Sequence, residues 1–270
     1  MKLTKYPFFL YNFPMILLLS LIEVYFSPCG GARDAIIREI KNAERTIDVC
    51  VYLLTDRELS QALVDAVKRG IKVRVVLDGE SAFKIRTSHF EYLIRHGVPV
   101  RLYIEHLKKK RGRGYHSVMH HKFAIIDRKV LITGSYNWTA YAEEKNNENL
   151  LIIKEDPGVI EKYLGEFERL WKKSISKKER TIDARNIREL RKHVNEWWWV
   201  KGRIKDIREK KSGTVIYFDG GFKAYMRAHL PDKREFYGEK VTIFGKIQDH
   251  PKYGFELYTE WANAIKKERR

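Results

Sequence analysis

The residues most able to do chemistry are clustered around an apolar run in the middle of the chain. His120 and Lys122 are two residues apart, so on a strand their side chains point to one face, and Ser135 and Asn137 share that spacing. An imidazole beside an ammonium, with a hydroxyl and an amide nearby, suits a phosphodiester, because Lys neutralises the non-bridging oxygens while Ser and Asn donate hydrogen bonds. A neutral His can attack phosphorus, and a second His can protonate the leaving oxygen. Glu148 is a candidate to fix the tautomer of an imidazole.

The spacing of these residues resembles the HKD motif of the phospholipase D superfamily. The family pattern is H-x-K-x4-D-x6-G-S/T, and it is matched without a gap by His120, Lys122, Asp127, Gly134 and Ser135. Asn137 and Glu148 also stand where family members place an Asn and a Glu. The resemblance covers roughly residues 22–171 and is similar to the small one-motif nucleases of the superfamily.

The resemblance implies a role for each candidate catalytic residue. His120 would be the nucleophile, Lys122 and Asn137 would bind the phosphate, and Ser135 would support that site. Glu148 would orient the His. Asp127, the remaining candidate, is usually a structural partner within the motif.

The resemblance also implies a metal-free reaction, so no cofactor is expected. A metal site at His116, His120 and His121 is an alternative that this resemblance disfavours. The family's active site uses two HKD motifs, and the nine histidines of this chain provide only one. We therefore expect an isologous homodimer in which each chain contributes one motif. A binding protein with a dead site is a further alternative, which the complete motif argues against.

The elements around the motif predict an α/β fold, with a mixed, mostly parallel sheet sandwiched by helices. Short β-branched strands at 46–54, 71–77 and 98–103 alternate with helices, as in a parallel sheet that is covered on both faces. This catalytic domain is predicted over residues 23–173. Residues 174–196 are dense in Lys, Arg and Glu and are predicted to form a helical connector.

From Trp197 the pattern becomes all-β. Five short strands over residues 197–265 predict a small closed barrel that resembles an OB fold in pattern, without a fixed motif. Its aromatic residues alternate with cations, as in barrels that bind single-stranded nucleic acid. The candidates for base stacking are Tyr217, Phe222 and Tyr225, although the barrel core is the commoner position for any one of them.

The charge of the chain favours a polyanionic partner. The 270 residues carry a formal net charge of +18, and two cysteines are too few for a disulfide framework. A basic loop that enters the catalytic strand contains candidate phosphate contacts, namely Lys108, Lys109, Lys110, Arg111 and Arg113. Nucleic acid, DNA or RNA, is the predicted substrate. A phospholipid-hydrolysing or phosphatidyl-transferring enzyme at a membrane is the alternative.

The N-terminus has features of a targeting segment. Two lysines precede an apolar run over Pro7–Ile22, and the run is short for a membrane span. Residues 1–22 are therefore interpreted as a signal peptide or membrane anchor of a secreted or membrane-attached protein. The alternatives are a mis-assigned start at Met15 or an extra buried strand in a cytoplasmic protein.

Overall fold

The computed structural model describes residues 21–104 and 118–268. An eight-stranded sheet is built from β1 (Leu21–Ser27), β2 (Thr46–Val51), β3 (Lys72–Asp78), β4 (Val100–Tyr103), β5 (Lys122–Ile126), β6 (Val130–Gly134), β7 (Glu148–Lys154) and β8 (Ile175–Ser176). The helices of this part of the chain are α1 (Ala32–Asn42), α2 (Arg57–Lys68), α3 (Gly79–Lys84), α4 (Phe90–Arg95), α5 (Ala140–Glu144) and α6 (Pro157–Lys173).

The sheet is mixed, as expected, but its balance of strand directions differs from the expectation. The strand order is β1-β7-β6-β5-β2-β3-β4-β8. Within the described residues only β2–β3 and β3–β4 pair in parallel, and the other neighbours are antiparallel. Parallel pairs need crossover connections, which α2, α3 and α4 provide. The turn Asp127–Lys129 instead joins β5 and β6 as an antiparallel hairpin.

Helices cover both faces of the sheet, which confirms the predicted sandwich. On one face α1 and α2 bury residues such as Ile36, Ile40 and Leu63 in the main core. On the other face α6 buries Phe167 and Leu170 against the sheet. Helix α2 begins at its N-cap Asp56, whose carboxylate accepts a hydrogen bond from the Leu59 N–H at 2.9 Å.

The C-terminal part forms a second, smaller sheet, here called the small β domain. Its strands are β9 (Thr181–Asp183), β10 (Trp197–Lys210), β11 (Gly213–Phe218), β12 (Lys223–Met226), β13 (Lys240–His250), β14 (Gly254–Thr259) and β15 (Ile265–Lys267). Five of them follow the order β10-β11-β12-β14-β13, and β13 pairs back with β10, which closes the sheet on itself. The structure thus contains the five predicted strands in a closed arrangement, while the OB-like assignment stays a prediction.

The segment expected to be a helical connector is not one helix. Strand β8 pairs with β4 of the first sheet, and β9 pairs with β10 of the small β domain. Only a short helix, α7 (Ile187–Leu190), and a following 3-10 turn are helical. The expectation fails because the sparse apolar residues serve two different cores: Ile175 packs against the first, whereas Ile182 and Leu190 enter the second.

Aromatic rings join the two sheets. Phe83 and Phe90 of the catalytic domain pack against rings of the small β domain, and Phe83 stacks on Phe244 with centroids 4.6 Å apart. Trp199 lies 4.3 Å from Phe244, and Trp261 stacks on Phe83 at 5.5 Å. Several aromatic residues of the small β domain are therefore interface core and are not available for stacking on a substrate.

Candidate active site

His120 and Lys122 lie together at the start of β5. The His120 imidazole is exposed, whereas the Lys122 side chain is buried. The Lys122 ammonium donates hydrogen bonds to His120 Nδ1 at 2.9 Å and to the His120 carbonyl at 2.8 Å. Alternation along the strand turns His121 to the opposite face, where Nε2 lies 3.1 Å from the Glu166 carboxylate. The structure thus brings together the imidazole and the ammonium that the spacing predicts.

The surroundings of His120 favour its neutral form. Burial lowers the pKa of His120 below its ordinary value of 6.5, and the charge of Lys122 lowers it further against the opposing effect of Asp78. Burial also lowers the pKa of Lys122, which the Glu148 carboxylate partly offsets. At pH 7 the imidazole is therefore mostly uncharged and able to act as a nucleophile.

Tyr52 belongs to the site, although the sequence analysis did not identify it. Its ring centroid lies 4.7 Å from that of His120, and the Lys122 ammonium lies 5.4 Å from the same ring. The Tyr52 N–H donates to the His121 carbonyl at 2.8 Å, which fixes the end of β2 against the catalytic segment. The ring therefore limits the rotation of the imidazole. In the sequence, the position of Tyr52 directly after the buried strand β2 could have indicated that it lies near the site.

Asp78 is a second residue that the sequence analysis missed. It closes β3, caps α3 through the Ser81 N–H at 2.9 Å, and accepts a hydrogen bond from the Met119 N–H at 3.1 Å. A buried carboxylate thus holds the backbone immediately before His120. The sequence could have indicated Asp78, because it is a charged residue that ends an apolar parallel strand, and such strand ends frequently border binding sites.

Ser135 and Glu148 form one hydrogen-bonded unit at the ends of β6 and β7. The Ser135 hydroxyl donates to Glu148 Oε2 at 2.5 Å, and its oxygen accepts from the Asn149 N–H at 3.1 Å. Gly134, at φ 153°, permits this close approach, because a Cβ there would lie 2.2 Å from the Asn149 carbonyl oxygen. The motif glycine is thus required by the approach of two backbones.

The hydrogen bonds of Glu148 differ from the role that the resemblance implies. Its carboxylate accepts from Ser135 and, at 3.2 Å, from Asn146 Nδ2, whereas the hydrogen bond at His120 Nδ1 comes from Lys122. Among the described residues of one chain, Glu148 makes no hydrogen bond to His120. Orientation of an imidazole by Glu148 stays a prediction that concerns the assembled site.

Asn137 lies on a loop that is anchored on both sides. The Tyr136 hydroxyl donates to Glu143 at 2.9 Å, and the Trp138 carbonyl accepts from the N–H groups of Thr55 and Asp56. The Asn137 Oδ1 atom is buried and has no hydrogen-bond partner among residues 21–104 and 118–268. Its phosphate-binding role stays a prediction.

Asp127 lies away from the imidazole, at the far end of β5. Asp127 follows Lys122 by five positions, which along a strand is a distance of roughly 16 Å. Its carboxylate accepts from the N–H groups of Glu44, Arg45 and Thr46 at 2.8, 2.7 and 2.8 Å. Burial alone would raise the pKa of Asp127, but these three hydrogen bonds lower it below its ordinary value. The structure thus places Asp127 in a structural position and not among the reacting groups.

The three predicted stacking residues differ in their exposure. Phe222 is buried in the core of the small β domain, 5.3 Å from Phe255, so its proposed stacking role was wrong. Phe222 thus takes the barrel-core position that the sequence analysis gave as the commoner one, because the closed sheet turns its ring inward. Tyr217 and Tyr225 are partly exposed. Tyr225 pairs across the sheet with Tyr258, whose ring lies 6.0 Å away.

Several predicted residues cannot be placed. The basic loop residues Lys108, Lys109, Lys110, Arg111 and Arg113, and also His116, lie outside the described residues. Within the described ranges, no group of three His, Cys, Asp or Glu side chains is arranged to hold a metal ion. The metal-free reaction stays a prediction for experiment.

The sequence over residues 36–171, half of the chain, matches the family described as cardiolipin synthase, PLD-like domain. The chain belongs to this family of the phospholipase D superfamily, a class of phosphodiesterase hydrolases. Human mitochondrial cardiolipin hydrolase is 36% identical over 149 residues, which are 53% of this chain and 54% of the relative. A phospholipase D of Rickettsia felis is 38% identical over 55% of this chain and 68% of its own. The chain spans about half the length of the human relative.

Two solved structures share the fold. NucT from Helicobacter pylori is 30% identical with a TM-score of 0.53, covering 58% of this chain and 99% of its own. Nuc from Salmonella typhimurium, a phospholipase D family member, is 28% identical with a TM-score of 0.51, covering 58% of this chain and 97% of its own. These matches confirm the predicted α/β fold class. The predicted signal or anchor segment lies almost wholly outside the described residues, and none of the described helices has the length and apolar character needed to cross a membrane.

Proposed function

We propose that this protein hydrolyses phosphodiester bonds in DNA or RNA through a covalent phosphohistidine on His120. The observation that carries the proposal is the contact between the exposed His120 imidazole and the Lys122 ammonium, which lies 2.9 Å from Nδ1. Partial desolvation and the charge of Lys122 both lower the pKa of His120, which favours the neutral, nucleophilic form. The nucleophile and the phosphate-binding cation thus occupy one small volume. Lys122 releases His120 Nδ1 when a phosphate oxygen replaces the imidazole as its hydrogen-bond acceptor.

The reaction proceeds in two displacements. An imidazole nitrogen attacks phosphorus, the bond from phosphorus to the leaving oxygen breaks, and a protonated second imidazole gives its proton to that oxygen. Water then attacks the phosphohistidine while the second imidazole takes back a proton. His120 and the second imidazole return to their starting protonation states. Within one chain the motif supplies a single His120, so the second imidazole comes from another copy in a homodimer.

The proposed nucleic-acid surface includes one face of the small β domain. Tyr217 pairs with Lys223, and Tyr225 pairs with Tyr258, so these four side chains share a face. The Arg208 guanidinium lies 4.9 Å from the Tyr217 ring centroid. Aromatic rings between cations suit the stacking of unpaired bases along a phosphate backbone. The basic loop Lys108–Arg113 is proposed to contact further phosphates.

A lipid substrate is the second candidate, and the names of the relatives favour it. Both a cardiolipin hydrolase and a phospholipase D match the same half of the chain. Attachment through residues 1–22, as a signal peptide or anchor, would place such an enzyme at a membrane. A cytoplasmic location would remove this argument for a lipid substrate.

The test compares both substrate classes in one assay. Purified protein and the variant His120→Ala are incubated in EDTA with labelled single-stranded DNA, double-stranded DNA, RNA and cardiolipin vesicles. We expect cleavage of nucleic acid that the variant loses while its binding of nucleic acid is retained. Release of the lipid product with intact nucleic acid would transfer the function to lipid. Strict dependence on added metal would contradict the mechanism.

A further inference from the structure

One segment of the catalytic domain, residues 83–89, extends from the small β domain to the candidate active site. At the start of the segment, the Phe83 ring stacks on Trp261 with centroids 5.5 Å apart. At its end, the His89 N–H donates to the Leu54 carbonyl at 3.0 Å, just beyond the end of β2 that borders the candidate active site. The segment therefore lies between the two parts of the molecule that are proposed to hold the substrate.

The aromatic face of the small β domain leads to this segment. Lys246 of β13 pairs with Tyr258 on one side and with Trp197 on the other, so the three side chains share a face. Phe244 lies two positions before Lys246, on the same face of β13, and stacks on Phe83 with centroids 4.6 Å apart. The proposed stacking surface and residues 83–89 therefore adjoin each other.

A groove at the junction of the two domains has polar side chains from both of them in its lining. Arg86 and Ser88 belong to the catalytic domain, whereas Asn263 and Lys266 belong to the small β domain. The Ser88 hydroxyl accepts from the Phe90 N–H at 3.4 Å, so its own hydrogen can be donated to a ligand. This groove, here called the junction groove, thus combines a hydroxyl donor with cations that come from separate parts of the chain.

Positive charge exceeds negative charge at the junction groove. Glu91 supplies the one carboxylate among its lining residues, and it is already paired with Lys177 at 3.1 Å. Arg86, Arg95 and Lys266 make no ion pair within the part of the chain that the structure describes. Burial lowers the pKa of Lys266, and the charges of Arg95 and Lys177 lower it further against the opposing effect of Glu91. An anion bound in the groove would offset this repulsion between cations.

We propose that the junction groove binds a backbone phosphate of a single-stranded nucleic acid as the strand passes from the small β domain toward His120. The inference rests on the proposed function, because it assumes a nucleic-acid substrate. Neither domain contains this site alone, since Arg86 and Lys266 come from different domains. A phosphate in the groove would accept hydrogen bonds from the Ser88 hydroxyl and from both cations.

The surroundings of the junction groove favour a nucleic-acid strand over a membrane surface. None of the exposed large apolar side chains of the described chain lies within residues 82–91 or 261–268, so the groove has no such group to insert into a bilayer. The next acid after Lys266, Glu268, is exposed and accepts from the Thr242 hydroxyl at 2.9 Å. The rings that adjoin the groove suit the bases of the same strand.

The first experiment measures how the affinity for a single strand depends on salt. Fluorescence titrations in the His120→Ala background use a labelled strand of about 30 nucleotides, so that binding is measured without cleavage. Arg86→Gln and Lys266→Gln should each lower the slope of log K against log salt by about 0.7, which is about fivefold weaker binding at about 0.1 M salt. Lys129→Gln removes an exposed cation at the opposite end of the β2–β5 pair and should leave the slope unchanged.

Thermal unfolding of the full chain distinguishes binding from support of the fold. Because Arg95 and Lys177 repel the charge of Lys266, Lys266→Gln should leave the melting temperature unchanged or raise it when no nucleic acid is present. A lower melting temperature with an unchanged salt slope would make Lys266 a structural residue and would overturn the inference. Glu91→Gln changes the charge in the opposite direction and should tighten nucleic-acid binding, which a damaged fold could not do.

The second experiment follows hydrolysis of bis(p-nitrophenyl) phosphate, a diester too small to span from His120 to the groove. Arg86→Gln and Lys266→Gln should hydrolyse it like the wild type, and a loss of this activity would overturn the inference by linking the groove to the catalytic site. A wild-type protein that hydrolyses the diester but does not bind nucleic acid would overturn both the inference and the proposed function.

Three further outcomes would overturn the inference alone. One is wild-type cleavage of nucleic acid with unchanged salt slopes in Arg86→Gln and Lys266→Gln. Another is an equal loss of slope in Lys129→Gln, because the effect would then follow from net charge and not from the groove. The third is a loss of affinity for cardiolipin vesicles with normal affinity for nucleic acid, because the groove would then hold a lipid headgroup.

Discussion

Replacing Asp127 should destabilise the protein without removing a reacting group. The carboxylate accepts three backbone N–H groups at the start of β2, all at 2.7–2.8 Å. The backbone of Asp127 also lies in the left-handed region, at φ 51°, and Arg128 follows it at φ 57°. Asp tolerates this conformation better than Ala does. Asp127→Ala therefore loses hydrogen bonds and gains backbone strain.

The expected magnitude follows from these contacts. A hydrogen bond to a charged group contributes about 1.5–3 kcal/mol, but three bonds on one carboxylate are not additive. With the added strain, we expect Asp127→Ala to lower the free energy of unfolding by about 3–5 kcal/mol. Asp127→Asn keeps the oxygen that accepts from Arg45 and Thr46 and loses the one that accepts from Glu44. It should therefore lower the free energy of unfolding by about 1–2 kcal/mol.

Urea unfolding followed by tryptophan fluorescence measures these values, with kcat determined well below the melting temperature. The wild type should also lose this stabilisation in acid. The pKa of Asp127 is lowered by folding, so its contribution is present above the unfolded pKa of about 3.9 and disappears as pH falls below it. A loss of kcat in a variant of normal stability would refute the structural assignment, as would an Asp127→Ala variant destabilised by less than about 1 kcal/mol.

The remaining predictions concern the site and the small β domain. If neutral His120 is the nucleophile, as proposed, kcat/KM should fall in acid with a midpoint below about 6.5; a midpoint above 7 would contradict a lowered pKa. Lys122→Met should raise the pKa of His120, since the repelling charge is gone, and an NMR titration of the imidazole that moved downward would refute this. Asp78→Ala should reduce kcat and lower the melting temperature, because the Met119 N–H loses its acceptor, and unchanged kinetics would show that this anchor is dispensable. Tyr225→Ala should weaken single-stranded DNA binding about 5–100-fold in a fluorescence titration, whereas Tyr225→Phe keeps the ring and should bind normally; equal affinities of the two variants would remove stacking at this position.

The pairing of His120 with Lys122 could be predicted from the sequence because it depends on local spacing, whereas the individual roles of the motif residues came from the family resemblance. Strand alternation places His120 and Lys122 on one face whatever the rest of the chain does. The left-handed turn at Asp127 likewise constrains residue type locally, whereas Gly134 is constrained by the backbone of Asn149 on the neighbouring strand. Local rules of this kind are visible in a single sequence.

Other parts of the site depend on contacts between distant segments. Tyr52 reaches His120 only because β2 pairs with β5, and Asp78 reaches Met119 only because β3 lies next to β2. The direction of those pairings was not visible in the strand pattern, which is also why the sheet was expected to be mostly parallel. Phe222 shows the same limit, because only the closure of the small β domain decides that its ring faces inward.

The aromatic contact between the two sheets changes what a domain boundary means in this chain. Trp199 and Phe244 of the small β domain belong to the same buried cluster as Phe83 and Phe90. A truncation after residue 196 would therefore cut through a hydrophobic core and leave the α3–α4 surface bare in water. Both sheets should therefore unfold in a single cooperative thermal transition. Rigid-body rotation of the small β domain could not carry a bound substrate to His120. If the substrate is the proposed nucleic acid, a strand must itself extend from the small β domain to His120, so the fixed separation of the two sites would set the shortest strand that contacts both.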